Sequence, residues 1–208
     1  MKARFTVDEI AAAALRIVDE SGPGGLSMRT LATALGTGPM TMYNYVSGKE
    51  GLEELVVAAV VGAVDLPAPT DDWKLDVHAI ATAMWNGVRR HPRAVPLVLT
   101  RRMTSPTGFG VADALIGALT EAGLSDHDRL SAFHAVLGLV TGAAQAELSG
   151  PLTAGAAEAA ERIGAVAAPD HPHVAALSRV AAVTTVEADF DGGLRMLLDG
   201  IAQRVMRR

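Results

Sequence analysis

Cysteine is absent from this 208-residue chain, which removes disulfides, thiolate catalysis and thiolate-ligated metals from consideration. Aromatic residues are scarce at 4%, while apolar residues reach 50% with alanine and valine abundant, a composition that suits closely packed helices. No strand-like alternation is sustained anywhere. Long apolar runs are missing too: the longest, Leu55 to Val64, is half of what a membrane-spanning helix needs. The opening MKARFTVDEI has no apolar stretch of a secretion signal, so the expectation is a cytoplasmic protein without a membrane partner.

An excess of positive charge is also lacking. Eighteen Lys and Arg stand against 23 acidic residues, for a net charge of −5. Residues 1–50, however, hold five cations (Lys2, Arg4, Arg16, Arg29, Lys49) and five acids (Asp8, Glu9, Asp19, Glu20, Glu50), so the acidic excess lies entirely beyond them. A neutral head on an acidic body can bind nucleic acid when its cations face the phosphates, with modest and salt-sensitive non-specific affinity.

What is present is a pair of short helices at Leu26 to Leu52, LSMRTLATALGTGPMTMYNYVSGKEGL. Ser27 is a good N-cap for a helix whose apolar side is Leu31, Ala32 and Leu35, and Gly36 supplies the stop. Pro39 suits the first position of a second helix that turns Met42 and Val46 inward and presents Met40, Thr41, Tyr43 and Asn44 outward. A major groove admits one helix, which a second must brace across the backbone, and this is that layout. Arg29, in the first turn of the bracing helix, can reach a guanine edge or a phosphate. Thr41 and Tyr43 can donate to phosphates and Lys49 can add a charge contact. The same residues admit a plainer reading, since helix pairs joined by a glycine turn occur in proteins that never touch DNA, with Tyr43 and Tyr45 as rim or core aromatics. Against it stands the placement of both tyrosines of the chain within three positions, beside small polar residues.

Periodicity predicts helices at 6–21, 27–35, 39–45 and 49–64, the first opened by a Thr6/Glu9 capping box and closed by SGPGG at 21–25. The turn LPAPTDD at 65–71 marks the boundary to a body predicted as six helical pieces near 72–90, 92–102, 107–122, 126–147, 172–184 and 190–206. In the long piece from Asp126 one stripe holds Leu130, Phe133, His134, Leu137, Thr141 and Ala144. The last piece stripes Phe190, Leu194, Leu197, Leu198, Ile201 and Val205.

Phe5 to Val64 resembles the DNA-binding head of the tetracycline-repressor (TetR) family. The resemblance is carried by LSMRTLATALG and by GTGPMTMYNYVSGKEGL, in which Gly36, Thr41, Met42-Tyr43, Val46, Lys49-Glu50 and Leu52 match family positions. It implies that Ser27, Arg29, Thr41, Tyr43 and Lys49 contact DNA, with Pro39, Met40 and Asn44 facing base edges. Gly38 and Pro39 depart from the family by standing where polar readers are often found, which shifts weight to apolar contact with thymine methyls. FDGGLRMLLDGI at 190–201 resembles the end of the tetracycline-repressor subfamily's body, where two late helices pair with their symmetry mates.

The expectation is therefore an all-α protein: residues 1–50 form a three-helix helix-turn-helix DNA-binding head, helix 49–64 connects, and 65–208 form an effector-binding and dimerisation body. A homodimer also follows from the target, since one short helix makes too few base contacts, and two heads about 34 Å apart double the readout on a palindromic duplex operator. Trp85, Val88, Leu99, Met103 and Phe109, with His134 and Leu137, can line an apolar cavity for a small effector, or each can be ordinary core. As a set they stand where the family resemblance places its effector. Arg101 and Arg102 suit a solvated helix end. His171 and His173 flank Pro172, but no third ligand stands at metal spacing, so neither a metal nor a cofactor is expected. The function implied is a ligand-controlled transcriptional regulator, in first place a repressor released by a small hydrophobic molecule. Its competitor is a helical enzyme using His134, Glu147 and Arg102, for which no nucleophile motif or phosphate-cradling loop is present.

Overall fold

A computed structural model describes residues 4–100, 109–149 and 156–206, which form eleven α-helices and no strand. The chain divides into two compact units, Met1–Glu121 and Ala122–Arg208.

The first unit begins with α1 (Val7–Ser21). Its capping box is formed as the sequence predicts: Thr6 Oγ1 accepts from the Glu9 N–H at 3.1 Å, and Glu9 Oε2 accepts from the Thr6 N–H at 2.8 Å. Ile10, Ala14 and Val18 are fully buried, and Gly22 ends the helix at φ +71°. In α2 (Met28–Ala34) Ser27 caps the Thr30 N–H, and the far end closes in a Schellman arrangement. There the Thr37 N–H donates to Ala32 O at 2.9 Å and the Gly36 N–H to Thr33 O at 3.1 Å, with Gly36 at φ +62°.

Pro39–Met42 forms α3, three residues shorter than the sequence predicts. The chain tightens after it through i→i+3 bonds, Asn44 N–H to Thr41 O and Tyr45 N–H to Met42 O, so Tyr43 and Asn44 lie on a turn instead of a continuing helix. Gly48–Gly62 forms α4, which packs along α1 and seals the head over Leu31, Met42, Leu52 and Val56, all fully buried. Burying four such side chains supplies several kcal/mol at roughly 1.5–3 kcal/mol each.

The 65–71 segment is a built turn: Asp76 Oδ1 accepts from the Thr70 N–H and hydroxyl at 2.8 and 2.7 Å, and Asp72 caps α5 (Trp73–Arg89). The piece predicted at 92–102 is two: a 3₁₀ turn at Pro92–Ala94 and α6 (Val95–Thr100). Pro96 has no N–H to return to residue 92, which breaks a continuous helix there. That 3₁₀ turn sits on the end of α1, where His91 Nδ1 meets Asp19 Oδ2 at 2.9 Å and Arg93 donates to Glu20 O. Phe109–Glu121 forms α7, and it packs on α5 through Leu115 and Leu119.

The second unit pairs α8 (Asp126–Ser149) with α11 (Val186–Met206), and α9 (Ala156–Ala167) with α10 (Pro172–Ala181). The sequence reading missed α9 entirely and began α11 four residues late. Of the expected α8 stripe only Ala144 is buried; the buried row is Ala132, Val136, Val140 and Ala144, while Leu130 and His134 are exposed. On α11, which packs against α8, Phe190, Leu194, Leu198 and Ile201 are buried as predicted, with Leu197 and Val205 half-buried.

Candidate nucleic-acid interface and effector face

The head turns its large apolar side chains inward and leaves most of the candidate DNA contacts in solvent. Arg29 is exposed in the first turn of α2, Pro39 and Met40 are exposed at the start of α3, and Tyr43, Asn44 and Lys49 follow on the same stretch. Met40 is 77% exposed and Tyr43 56%, while Met42 between them is fully buried. A large thioether and a phenol left in solvent beside a filled core are surface a partner can use. Thr41 is half-buried. Ser27 is half-buried as well and is committed to its cap, since its Oγ accepts from the Thr30 N–H and lies 3.0 Å from Thr30 Oγ1. Lys49 Nζ stands 3.8 Å from Glu53 Oε1, so part of its charge is already balanced within α4.

Tyr45, which sequence alone left as a rim or core aromatic, is a clasp. Its hydroxyl accepts from the backbone N–H groups of Arg4 and Phe5 at 3.0 and 3.2 Å, and its ring meets Phe5 edge-on at 6.3 Å. Arg4 in turn donates from Nη2 to Gly36 O at 3.3 Å. These contacts join residues 32 to 41 positions apart, and no local pattern announces them.

The candidate effector residues divide between the two units. Trp85 and Val88 are buried in α5, with the Arg89 guanidinium 4.3 Å from the centre of the Trp85 ring. Leu99, near the end of α6, and Phe109, at the start of α7, are exposed. Met103 lies outside the described residues, as does Arg102. His134 and Leu137 belong to the second unit, where His134 is exposed with its ring 5.8 Å from that of Phe133. A groove of about 450 Å³ that the sequence reading did not single out lies in the first unit, lined among others by His78, Thr82 and Asn86 on α5 and by the 65–67 turn. The four-residue spacing of those three polar side chains was the available signal. Among the described residues no group of three metal-ligating side chains converges, and no helix is long and apolar enough to cross a membrane.

Comparison with known proteins bears on the whole chain. Residues 66–205 match the family described as tetracyclin repressor-like, C-terminal domain. The HTH-type transcriptional repressor DrrR1 of Streptomyces coeruleorubidus is 31% identical over 228 residues, spanning all of this chain and 81% of that protein. The class A tetracycline repressor protein from transposon 1721, in Escherichia coli, is 28% identical over 92% of this chain and 88% of its own. ActR of Streptomyces coelicolor, solved in complex with actinorhodin, superposes with a TM-score of 0.84 at 25% identity, over 98% of this chain and 99% of its own. A chain whose described residues are all-helical, that opens on a helix-turn-helix head, matches the family's C-terminal domain over two thirds of its length and aligns throughout with a repressor is a regulator, not an enzyme: it belongs to the TetR family of transcriptional regulators.

Proposed function

We propose that this regulator is a cytoplasmic repressor that binds a palindromic duplex operator as a homodimer and is released by a small hydrophobic effector. In this reading residues 1–50 read DNA, α4 connects, and residues 65–208 bind the effector and dimerise. The observation that carries it is the exposed row Arg29, Pro39, Met40, Tyr43, Asn44 and Lys49 on a head whose inward face is already full. Tyr43, Thr41 and Lys49 serve as phosphate contacts, which position without reading sequence. Pro39, Met40 and Asn44 face base edges, Met40 as an apolar neighbour for thymine methyls, and Ser27 supports the first turn of the bracing helix.

Repression is lifted when the effector favours a dimer whose recognition helices are wrongly spaced for successive major grooves. Two features of the first unit support α4 as the lever: it follows directly on the recognition turn, and it packs against α5, α6 and α7. The His91–Asp19 contact ties the end of α1 to the turn that precedes α6, a second mechanical link to the head. Trp85, Val88, Leu99 and Phe109, all in the matched C-terminal region, are the described residues of the first unit proposed to meet the effector, Leu99 and Phe109 from exposed positions. By linkage, operator DNA then weakens effector binding by the same factor that effector weakens operator binding. Actinorhodin, bound by ActR in its solved structure, is a first probe.

The test uses a duplex that the protein itself recovers from a random-sequence pool, beside an unselected duplex. Lys49→Ala is expected to weaken binding to both and to flatten the dependence of log affinity on log salt by about one. Arg29→Ala costs about 1–3 kcal/mol on the selected duplex, more than on the unselected one if the guanidinium grips a guanine edge. Parental binding by both variants at low and high salt overturns the interface.

A further inference from the structure

We propose that the Tyr45 clasp and the α2–α3 turn hold Arg4 at the DNA-facing edge of the head, where its guanidinium is a further phosphate contact. The inference rests on the DNA-binding reading above and adds to it a residue outside the helix-turn-helix.

Arg4 precedes α1 and lies outside any helix, so contacts with the rest of the head must fix it. Here three contacts do so. The Tyr45 hydroxyl accepts from two consecutive backbone N–H groups, Phe5 packs edge-on against the Tyr45 ring, and Arg4 Nη2 reaches Gly36 O. All of the anchoring atoms belong to the recognition segment. Gly36 is the left-handed residue that closes α2, two positions before Gly38 caps α3, and Tyr45 stands two positions after the exposed Tyr43. The arm therefore travels with the same turn that sets the recognition helix.

Charge points the same way. A guanidinium carries five N–H donors, and among the described residues the partners of Arg4 are one carbonyl and the face of Phe5 at 5.3 Å. Neither is a carboxylate, so the positive charge is not neutralised. Lys49, by contrast, shares its charge with Glu53. In a head with as many acids as bases, an oriented cation beside the recognition turn weighs heavily in the interaction with phosphate. Tyr45 is a positioning residue in this scheme, acting through Arg4.

The experiment measures affinity of the full-length protein for the selected and the unselected duplex across a salt series. Arg4→Ala is expected to weaken both by the same factor and to lower the salt slope by about one, whereas Arg4→Lys, which keeps the charge, holds the slope near the parent's. Tyr45→Phe deletes a single hydroxyl and is expected to reproduce the lowered slope with little change in melting temperature. Combining it with Arg4→Ala lowers the slope no further, because both act through one contact. An unchanged slope in Arg4→Ala overturns the proposal, as does additivity of the two changes. Should Tyr45→Phe fail to fold, Arg4→Ala against Arg4→Lys decides alone. Lys49→Ala separates the two levels: if it flattens the slope and Arg4→Ala does not, the arm falls and the DNA interface stands, while parental slopes in both sink the interface itself.

Discussion

The head and the α9–α10 hairpin bury themselves in opposite ways. In the head the large side chains Ile10, Leu31, Met42 and Leu52 are fully enclosed and the outer surface is mostly polar. In the hairpin the helices meet over small residues, Ala160, Gly164, Ala167, Ala175 and Ser178, and the large ones point away: Ile163, Val166, Val174, Leu177 and Val180 are all exposed. A reading module that must hold a short helix steady needs a filled core beneath it, since close packing is what turns a local pattern into a fixed geometry. A hairpin joined over alanine and glycine gains its contact from close backbone approach and leaves its apolar bulk outside. The two thus differ in where a substitution will hurt.

The largest effect is expected in the head. Met42→Ala removes a fully buried side chain under the recognition turn and should cost about 2–5 kcal/mol in urea unfolding, with operator affinity falling alongside. A loss of less than about 1 kcal/mol would mean that the head does not depend on its packing as the comparison claims. Next comes Gly164→Ala, where an added Cβ would meet Ser178 Oγ at 2.4 Å, so the hydroxyl must turn away and give up its bond to Ala175 O. Losing that buried bond, offset in part by alanine's better helix propensity, should cost about 1 kcal/mol. Adding Ser178→Ala removes the clashing oxygen and leaves the neighbouring Cβ at an ordinary 3.5 Å, so the double variant should recover much of the loss. The smallest effect belongs to the outer face: Leu177→Ser should lie within about 0.5 kcal/mol of the parent. A drop as large as that of Met42→Ala would show this face to be covered in solution and would erase the contrast.

The same contrast explains which helices sequence reading found. In the head apolar and polar residues alternate with high contrast at helical spacing, and the start and stop signals are local: Thr6 with Glu9, Ser27 before Leu31, Gly36 after Leu35. In α9 the buried face is alanine and glycine and the exposed face carries Ile163 and Val166, so the hydrophobic stripe runs the wrong way round and marks no inward face. The α8 stripe failed for the same reason. Its buried row mixes two alanines with two valines while Leu130 and His134 are outside, and hydrophobicity alone favours the larger side chains.

Outward exposure of Arg29, Met40, Tyr43, Asn44 and Lys49 was readable beforehand, because helical periodicity and a proline start depend on neighbours three or four residues away. The family was readable for a related reason, since its motif is a set of local spacings. Long-range partners were not. That Tyr45 holds the backbone of Arg4, that His91 meets Asp19 across 72 positions, and that α6 leans on α4, are outcomes of how helices stack. Local composition chooses where a helix begins, ends and turns its apolar side. Which side chain meets which across the packed surfaces depends on the volumes of both partners and the distance between their axes, and no stretch of one strand of sequence contains the other.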